Sequence, residues 1–328
     1  MKITAMKLVE GVRSIRTLMA TPALLAAACL VSSARAANPA ATPPQVIDTA
    51  CRVKLAISTA SFGRAFREKK LDILDFPAMC GRAGLDAIEL NDFYLKGDWT
   101  IIRELKRRAT RHGIGICAVA AEANFYRATP VEIERERAHL EQYLDIAYYL
   151  GAPRLRVNTC PYNKSLPAAI IPRGVTHEMA FAAAVRTFRS LIPAAEKKGI
   201  TLVLENHGGI SRTSADQIKI TEAVSSEWFR INLDTGNYHA DPMAGTEPFE
   251  DFLQATVKVA PYLAFCHAKV WDVTDDLREP TLDYDRFFTV LRRIGYCGPV
   301  SIEYMGRKDP LEMLPKCVAL MKRCRGGR

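Results

Sequence analysis

Four short stretches hold the residues best suited to chemistry. They read LENHGG, with Glu205 and His207; INLDTGNYH, with Asp234; FCHAK, with His267 and Lys269; and VSIEYMG, with Glu303. Each closes an apolar, β-prone run. Two glutamates, one aspartate and one histidine make a mostly oxygen donor set, which suits Mn²⁺, Mg²⁺ or Co²⁺ and leaves Zn²⁺ open. A single strand-end carboxylate is often a helix cap or an ion-pair partner. Four such residues at the same end of successive strands argue instead for one convergent site. Side chains alternate along a strand, so Glu205 and His207 share a face, as do His267 and Lys269. Leu204 and Ile302 then face the other way. A carboxylate in an apolar interior is costly unless it is paired or metal-bound, and convergence on one divalent ion answers that cost for all four. Lys269 is expected to meet a substrate oxygen or to pair with a carboxylate such as Asp272.

The elements that must position these groups follow one rhythm from residue 51 onward. The β-prone runs are Val53–Thr59, Ala87–Asn91, Ile114–Ala121, Arg154–Asn158, Thr201–Asn206, Arg230–Asp234, Ala264–Val270 and Pro299–Tyr304. Helical patterns fall between them: Leu71–Ala83, Ile101–His112, Pro130–Leu150, Glu178–Lys198, Ser214–Val224, Phe249–Val259 and Tyr284–Ile294, with a last one from about Pro315 to Arg323. Gly84, Gly113, Gly151, Gly199 and Gly295 sit where helices should stop. Eight strands alternating with helices predict an α/β fold with a parallel sheet, and the number and length match a single (β/α)8 TIM barrel. In that architecture active sites form at the C-terminal ends of the strands, where the four motifs fall. No linker interrupts residues 51–328, which read as one catalytic domain.

The 328 residues are 48% hydrophobic and 25% charged, which excludes a disordered, collagen-like or coiled-coil chain. The first 36 residues read as a secretory signal peptide. Lys2, Lys7, Arg13, Arg16 and Arg35 stand against the single Glu10, so nearly half of the formal net charge of +9 lies there. An apolar run from Leu18 to Val31 follows, short for a membrane span, then Ala34-Arg35-Ala36. Residues 37–50 read as a flexible Pro- and Ala-rich leader. The expectation is an exported, periplasmic protein that has no membrane partner after signal removal. Cys117 and Cys266 lie in apolar runs and read as buried thiols. No C-x-x-C pair suggests a zinc knuckle or redox motif.

These motifs resemble the xylose isomerase-like TIM barrel superfamily of sugar phosphate isomerases and epimerases, over about residues 53–323. The segment GLDAIEL, with Glu89, is similar to that family's common Gly-x-x-x-x-Glu strand. The resemblance to its ketose 3-epimerases implies that Glu205, Asp234, His267 and Glu303 hold one divalent metal. It also implies that Glu205 and Glu303 act as paired acid and base. The metal would bind a carbonyl and a neighbouring hydroxyl of a sugar and stabilise the enediolate left when a carbon-bound proton is removed. Returning the proton gives an epimerase or isomerase. Expelling a β-leaving group gives a lyase or dehydratase, for example on a 3-keto-glycoside or an inosose. His207, Lys269, Glu89 and Asn158 are the expected substrate contacts. Two features depart from the ketose epimerases: Lys269 stands where an Arg is usual, and His239 lies five residues after Asp234 rather than two or three.

The expected partner is a small sugar or sugar-derived molecule, with self-association left open. A nucleic-acid partner is not expected. The superfamily's DNA endonucleases carry a three-zinc cluster with several additional histidines, whereas this chain has six His in all and places His112, His139 and His177 on helical segments. No Gly-x-Ser-x-Gly occurs, and Cys266 should face away from His267 on its strand, which argues against Ser and Cys hydrolases. A non-catalytic sugar-binding protein would not need both Glu205 and Glu303.

Overall fold

Apolar runs of four to eight residues bounded by helix stops can bury both faces only in a parallel sheet wrapped by helices, and that is the arrangement found. The computed structural model describes residues 52–161, 171–238 and 248–326. The signal segment, the leader and His239 lie outside the described residues. Eight parallel strands close in chain order into a barrel: β1 (Lys54–Ser58), β2 (Ala87–Asn91), β3 (Gly115–Ala121), β4 (Arg154–Val157), β5 (Thr201–Glu205), β6 (Phe229–Asp234), β7 (Leu263–Val270) and β8 (Pro299–Tyr304). The helices among the described residues are α1 (Gly63–Arg67), α2 (Phe76–Arg82), α3 (Asp92–Leu95), α4 (Trp99–Arg111), α5 (Pro130–Leu150), α6 (His177–Lys198), α7 (Ser214–Val224), α8 (Phe252–Val259), α9 (Tyr284–Arg293) and α10 (Pro310–Gly326). Among the described residues no helix is long and apolar enough to cross a membrane.

Local chemistry sets the helix starts. Thr129 opens α5 with a reciprocal capping box to Glu132, and Thr213 does the same for α7 with Asp216. Asp251 caps α8 by accepting from Leu253 N and Gln254 N. That helix therefore starts three residues later than the apolar pattern from Phe249 suggests. Similarly, α10 starts at Pro310 with Asp309 Oδ1 accepting Leu311 N at 2.9 Å. Pro315, read from the sequence as the first-turn proline, lies inside the helix. Gly151 and Gly199 end α5 and α6 at φ 78° and 65°, a left-handed cap that favours glycine.

Alternation splits the apolar residues into two layers. One face of each strand, including Leu55, Ile57, Leu90, Leu155, Leu204 and Ile302, packs on the helices in the main core. A second, smaller cluster plugs the barrel interior: Ala56, Ala87, Cys117, Ala118, Val203 and Phe265. Above this plug the interior becomes polar. Cys80, Cys117, Cys160, Cys266, Cys317 and Cys324 are buried free thiols. Burial pushes Cys117, Cys266 and Cys317 up to about 12, which removes them as nucleophiles.

Register sets the levels of the site. Asp234 lies opposite His267, His267 opposite Ser301, and Lys269 opposite Glu303. The β2–β3 ladder shifts between Ile88 and Glu89, and the β6–β7 ladder shifts between Ile231 and Asn232. Bulges of this kind re-aim a strand next to a site.

Phe265 is fully buried and its ring lies 5.1 Å from that of His267, edge to face. Phe265→Ala should cost about 3–5 kcal/mol. The measurement is a lower urea midpoint at unchanged m.

Candidate metal centre

Glu205 and Asp234 are the last residues of β5 and β6, while His267 and Glu303 lie near the ends of β7 and β8. All four are buried. One ligand atom from each lies within 4.8 Å of every other. His267 Nδ1 is the hub. It stands 3.2 Å from Glu205 Oε1, 3.5 Å from Glu303 Oε1 and 3.6 Å from Asp234 Oδ2.

The carboxylates are held from behind. Asp234 Oδ1 accepts Gly236 N at 2.8 Å and Asn237 N at 3.1 Å, so its other oxygen turns inward. The Asn206 amide ties β5 to β6. Its Oδ1 accepts Asp234 N at 2.7 Å, and its Nδ2 donates to Asp234 O at 3.0 Å. Gly236 leaves no room for a side chain: an added Cβ would lie 2.6 Å from Trp271 Cη2 and 2.7 Å from Lys269 Cβ. Tyr284 Oη donates to Lys269 O at 2.5 Å and bonds Thr235 Oγ1 at 2.9 Å, which locks the ends of β6 and β7 together.

Two buried cations balance the acids. Lys269 Nζ lies 2.8 Å from Asp234 Oδ2 and 3.1 Å from Glu303 Oε2, and donates to Asn237 Oδ1 at 2.8 Å. Arg156 Nε lies 3.3 Å from Glu205 Oε2, and its Nη1 donates to Glu122 Oε1 at 2.9 Å. Burial opposes ionisation of Glu205, yet Arg156, His207 and His267 hold its carboxyl well below the usual range. Burial likewise opposes ionisation of Asp234 and Glu303, and Lys269 together with His267 holds both carboxyls below their ordinary values. Burial alone would lower His267, but Glu89, Glu303 and Glu205 raise it well above the ordinary imidazole value. A divalent cation would displace that proton. Glu205 Oε2 and Asp234 Oδ2 are buried and accept no well-aligned hydrogen bond. A three-carboxylate, one-imidazole set with its ligand atoms this close together fits a single divalent ion.

The site brings together all four expected ligands. His207 lies at the mouth, part-buried, with Nδ1 at 3.1 Å from Cys160 O and 3.4 Å from Asn158 Nδ2. Lys269 pairs with two of the ligands and not with Asp272, whose partner is Lys308 at 2.7 Å. Two expected substrate contacts, Asn158 and Glu89, are engaged by the protein's own groups. Asn158 is fully buried, its Oδ1 accepting Ala123 N at 2.7 Å while its Nδ2 donates to Glu122. Glu89 is fully buried behind His267. Alternation places both side chains inward but carries no information on their depth.

Arg156, Glu122 and Asn237 escaped the sequence reading. A signal for Arg156 existed: in RLRVN, Arg154, Arg156 and Asn158 share a face, so an inward Asn implies an inward Arg. Glu122 directly follows β3, and Asn237 closes the LDTGN run. Asn237 Nδ2 donates to Glu205 Oε1 at 3.2 Å, so it links that carboxylate to Lys269.

The profile of the xylose isomerase-like TIM barrel family matches residues 78–324. A search of curated proteins finds no match. Among solved structures, a D-psicose 3-epimerase from Clostridium cellulolyticum H10, crystallised with D-tagatose, superposes with a TM-score of 0.68 at 17% identity, covering 84% of this chain and 99% of that one. A 3-keto-D-glucoside 4-epimerase from E. coli in apo form gives 0.65 at 19% identity, covering 83% and 100%. A probable 3-DHS dehydratase from Bacillus anthracis, involved in petrobactin synthesis, gives 0.58 at 15% identity, covering 82% and 99%. At these identities the likeness concerns the fold.

The depressed carboxyls of Asp234 and Glu303 make a signed prediction. Their contribution to stability is present above their unfolded values near pH 4 and is lost as pH falls through the folded ones. In metal-free protein, Lys269→Met should destabilise the fold at pH 7 by about 3–5 kcal/mol. It should also move the acid unfolding midpoint, followed by circular dichroism, to higher pH.

Proposed function

Because the chain belongs to the xylose isomerase-like TIM barrel family, we propose that it is a divalent-metal-dependent sugar isomerase or epimerase that begins by removing a proton beside a carbonyl. The observation that carries this reading is the placement of Glu205 and Glu303. They share one cluster spanning no more than 4.8 Å between ligand atoms, and each has its own buried cation. The sugar is supported by the named substrates of the similar epimerases.

A divalent ion held by Glu205, Asp234, His267 and Glu303 supplies Lewis-acid polarisation of the carbonyl and its neighbouring hydroxyl when bound. The chain's own side chains do the rest. One glutamate takes the carbon-bound proton, and the other returns one to the opposite face or to the next carbon. Arg156 and Lys269 favour the ionised form of the glutamate that acts as base. The other glutamate takes from water the proton it returns, and the base later gives its own proton back to water. The two cations favour the enediolate over the neutral sugar. Asn237 holds Glu205 and Lys269 in mutual register. His207 presents its ring at the mouth, where a sugar oxygen would enter.

A lyase or dehydratase acting on a 3-keto-glycoside or inosose shares the first step, and the probable dehydratase of the same fold favours keeping it as the second reading. The basic start, apolar run and Ala34-Arg35-Ala36 support export to a periplasm. The single histidine of the ligand set supports a small-molecule substrate over the DNA of a three-zinc enzyme.

The test is a screen of ketoses, 3-keto-glycosides and inososes with Mn²⁺ in D₂O, read by NMR. Deuterium should enter the product at the carbon beside the carbonyl. Changed stereochemistry marks an epimerase, and loss of water or of an aglycone marks the lyase. Glu205→Gln and Glu303→Gln should each lower kcat by at least about 100-fold with the fold retained. Full turnover in either variant, or in EDTA-stripped protein, would sink the mechanism.

A further inference from the structure

A carboxylate with no solvent contact needs partners inside the protein, and Glu89 has two. Its Oε2 accepts Ser301 Oγ at 2.7 Å, and its Oε1 lies 3.1 Å from His267 Nε2. Ser301 is level with His267 in the β7–β8 register, so the pair closes around the carboxylate from adjacent strands. The shift in the β2–β3 ladder falls between Ile88 and Glu89, at the point where the carboxylate is aimed across the barrel. The imidazole is therefore clamped between one carboxylate at Nε2 and three at Nδ1, with the edge of Phe265 packed against it.

We propose that Glu89 is a positioning residue that accepts the Nε2–H of His267 and thereby commits Nδ1 to a divalent cation. This rests on the metal reading above. A neutral imidazole carries one N–H, and an acceptor fixed on the Nε2 side decides which nitrogen keeps a lone pair. A carboxylate in that place also sets the plane of the ring and raises its basicity as a ligand. Ser301 keeps the carboxylate from turning away. Glu89 touches neither substrate nor metal in this arrangement and acts only through His267.

The experiment uses the full chain, stripped with EDTA and titrated with Mn²⁺ alone, with free ion read by electron paramagnetic resonance. Wild type should take up one ion. Glu89→Ala should weaken its binding by about 10–100-fold. Glu89→Gln, whose amide oxygen still accepts the Nε2–H, should recover much of that loss, and Ser301→Ala should fall between wild type and Glu89→Ala. Circular dichroism confirms that each variant is folded. A second readout is independent of affinity. In Zn²⁺-loaded protein with ¹⁵N-labelled histidine, long-range ¹H–¹⁵N NMR should show His267 protonated at Nε2 and metal-bound at Nδ1. A metal-bound Nε2, or a folded Glu89→Ala that binds Mn²⁺ as tightly as wild type, overturns this inference alone. No uptake by wild type overturns the metal reading as well.

Discussion

Like charges crowded into a water-poor interior set the terms for this barrel. Glu205, Asp234 and Glu303 converge on His267, with Glu89 on the far side of its ring. Left alone, such a group would repel and take up protons. It stays ionised because Lys269 and Arg156 enter from the same inner surface, 4% and 3% exposed. The resulting network is nearly fully compensated, and a divalent ion would complete it. Each cation also serves a different glutamate, so the compensation is distributed rather than pooled.

That balance depends on backbone precision. A shift of one residue in any strand would turn its ligand to the helix side. The register is secured by contacts to backbone rather than to the clustered side chains: the Asn206 amide across β5 and β6, the Tyr284 hydroxyl on the carbonyl of Lys269, and Gln217, whose Nε2 donates to Leu204 O and Asn232 O just before Glu205 and Asp234. Gly236 completes the set by having no side chain.

Much of this was legible in the sequence. The fold followed from the alternation of apolar runs and helical segments, with helix starts misplaced where Asp251 and Asp309 cap earlier or later than the apolar pattern implies. The four clustered residues were legible because each ends an apolar run, and four such residues in successive strands point to one place. Depth was not legible. Glu89, Asn158, Arg156 and Lys269 all point inward by parity. Whether an inward group meets a ligand, a neighbour or a counter-charge is decided across strands, by barrel closure and by the register shifts at Glu89 and Asn232. Arg156 was missed because an arginine in a short strand reads locally like one on a solvated edge. The expected leader and its route of export lie outside the described residues.

The ligands come from four consecutive strands, while β1 to β3 line the interior with small side chains. The two halves of the barrel are therefore under unequal constraint. Substitutions along β5–β8 disturb a buried charged cluster whose parts must remain mutually consistent. Substitutions in the loops beyond β1–β3 leave the four clustered residues and their counter-charges in place. A lineage built on this plan can change on the permissive side while the charged cluster stays intact. Such a history leaves sequences that share a fold but little else.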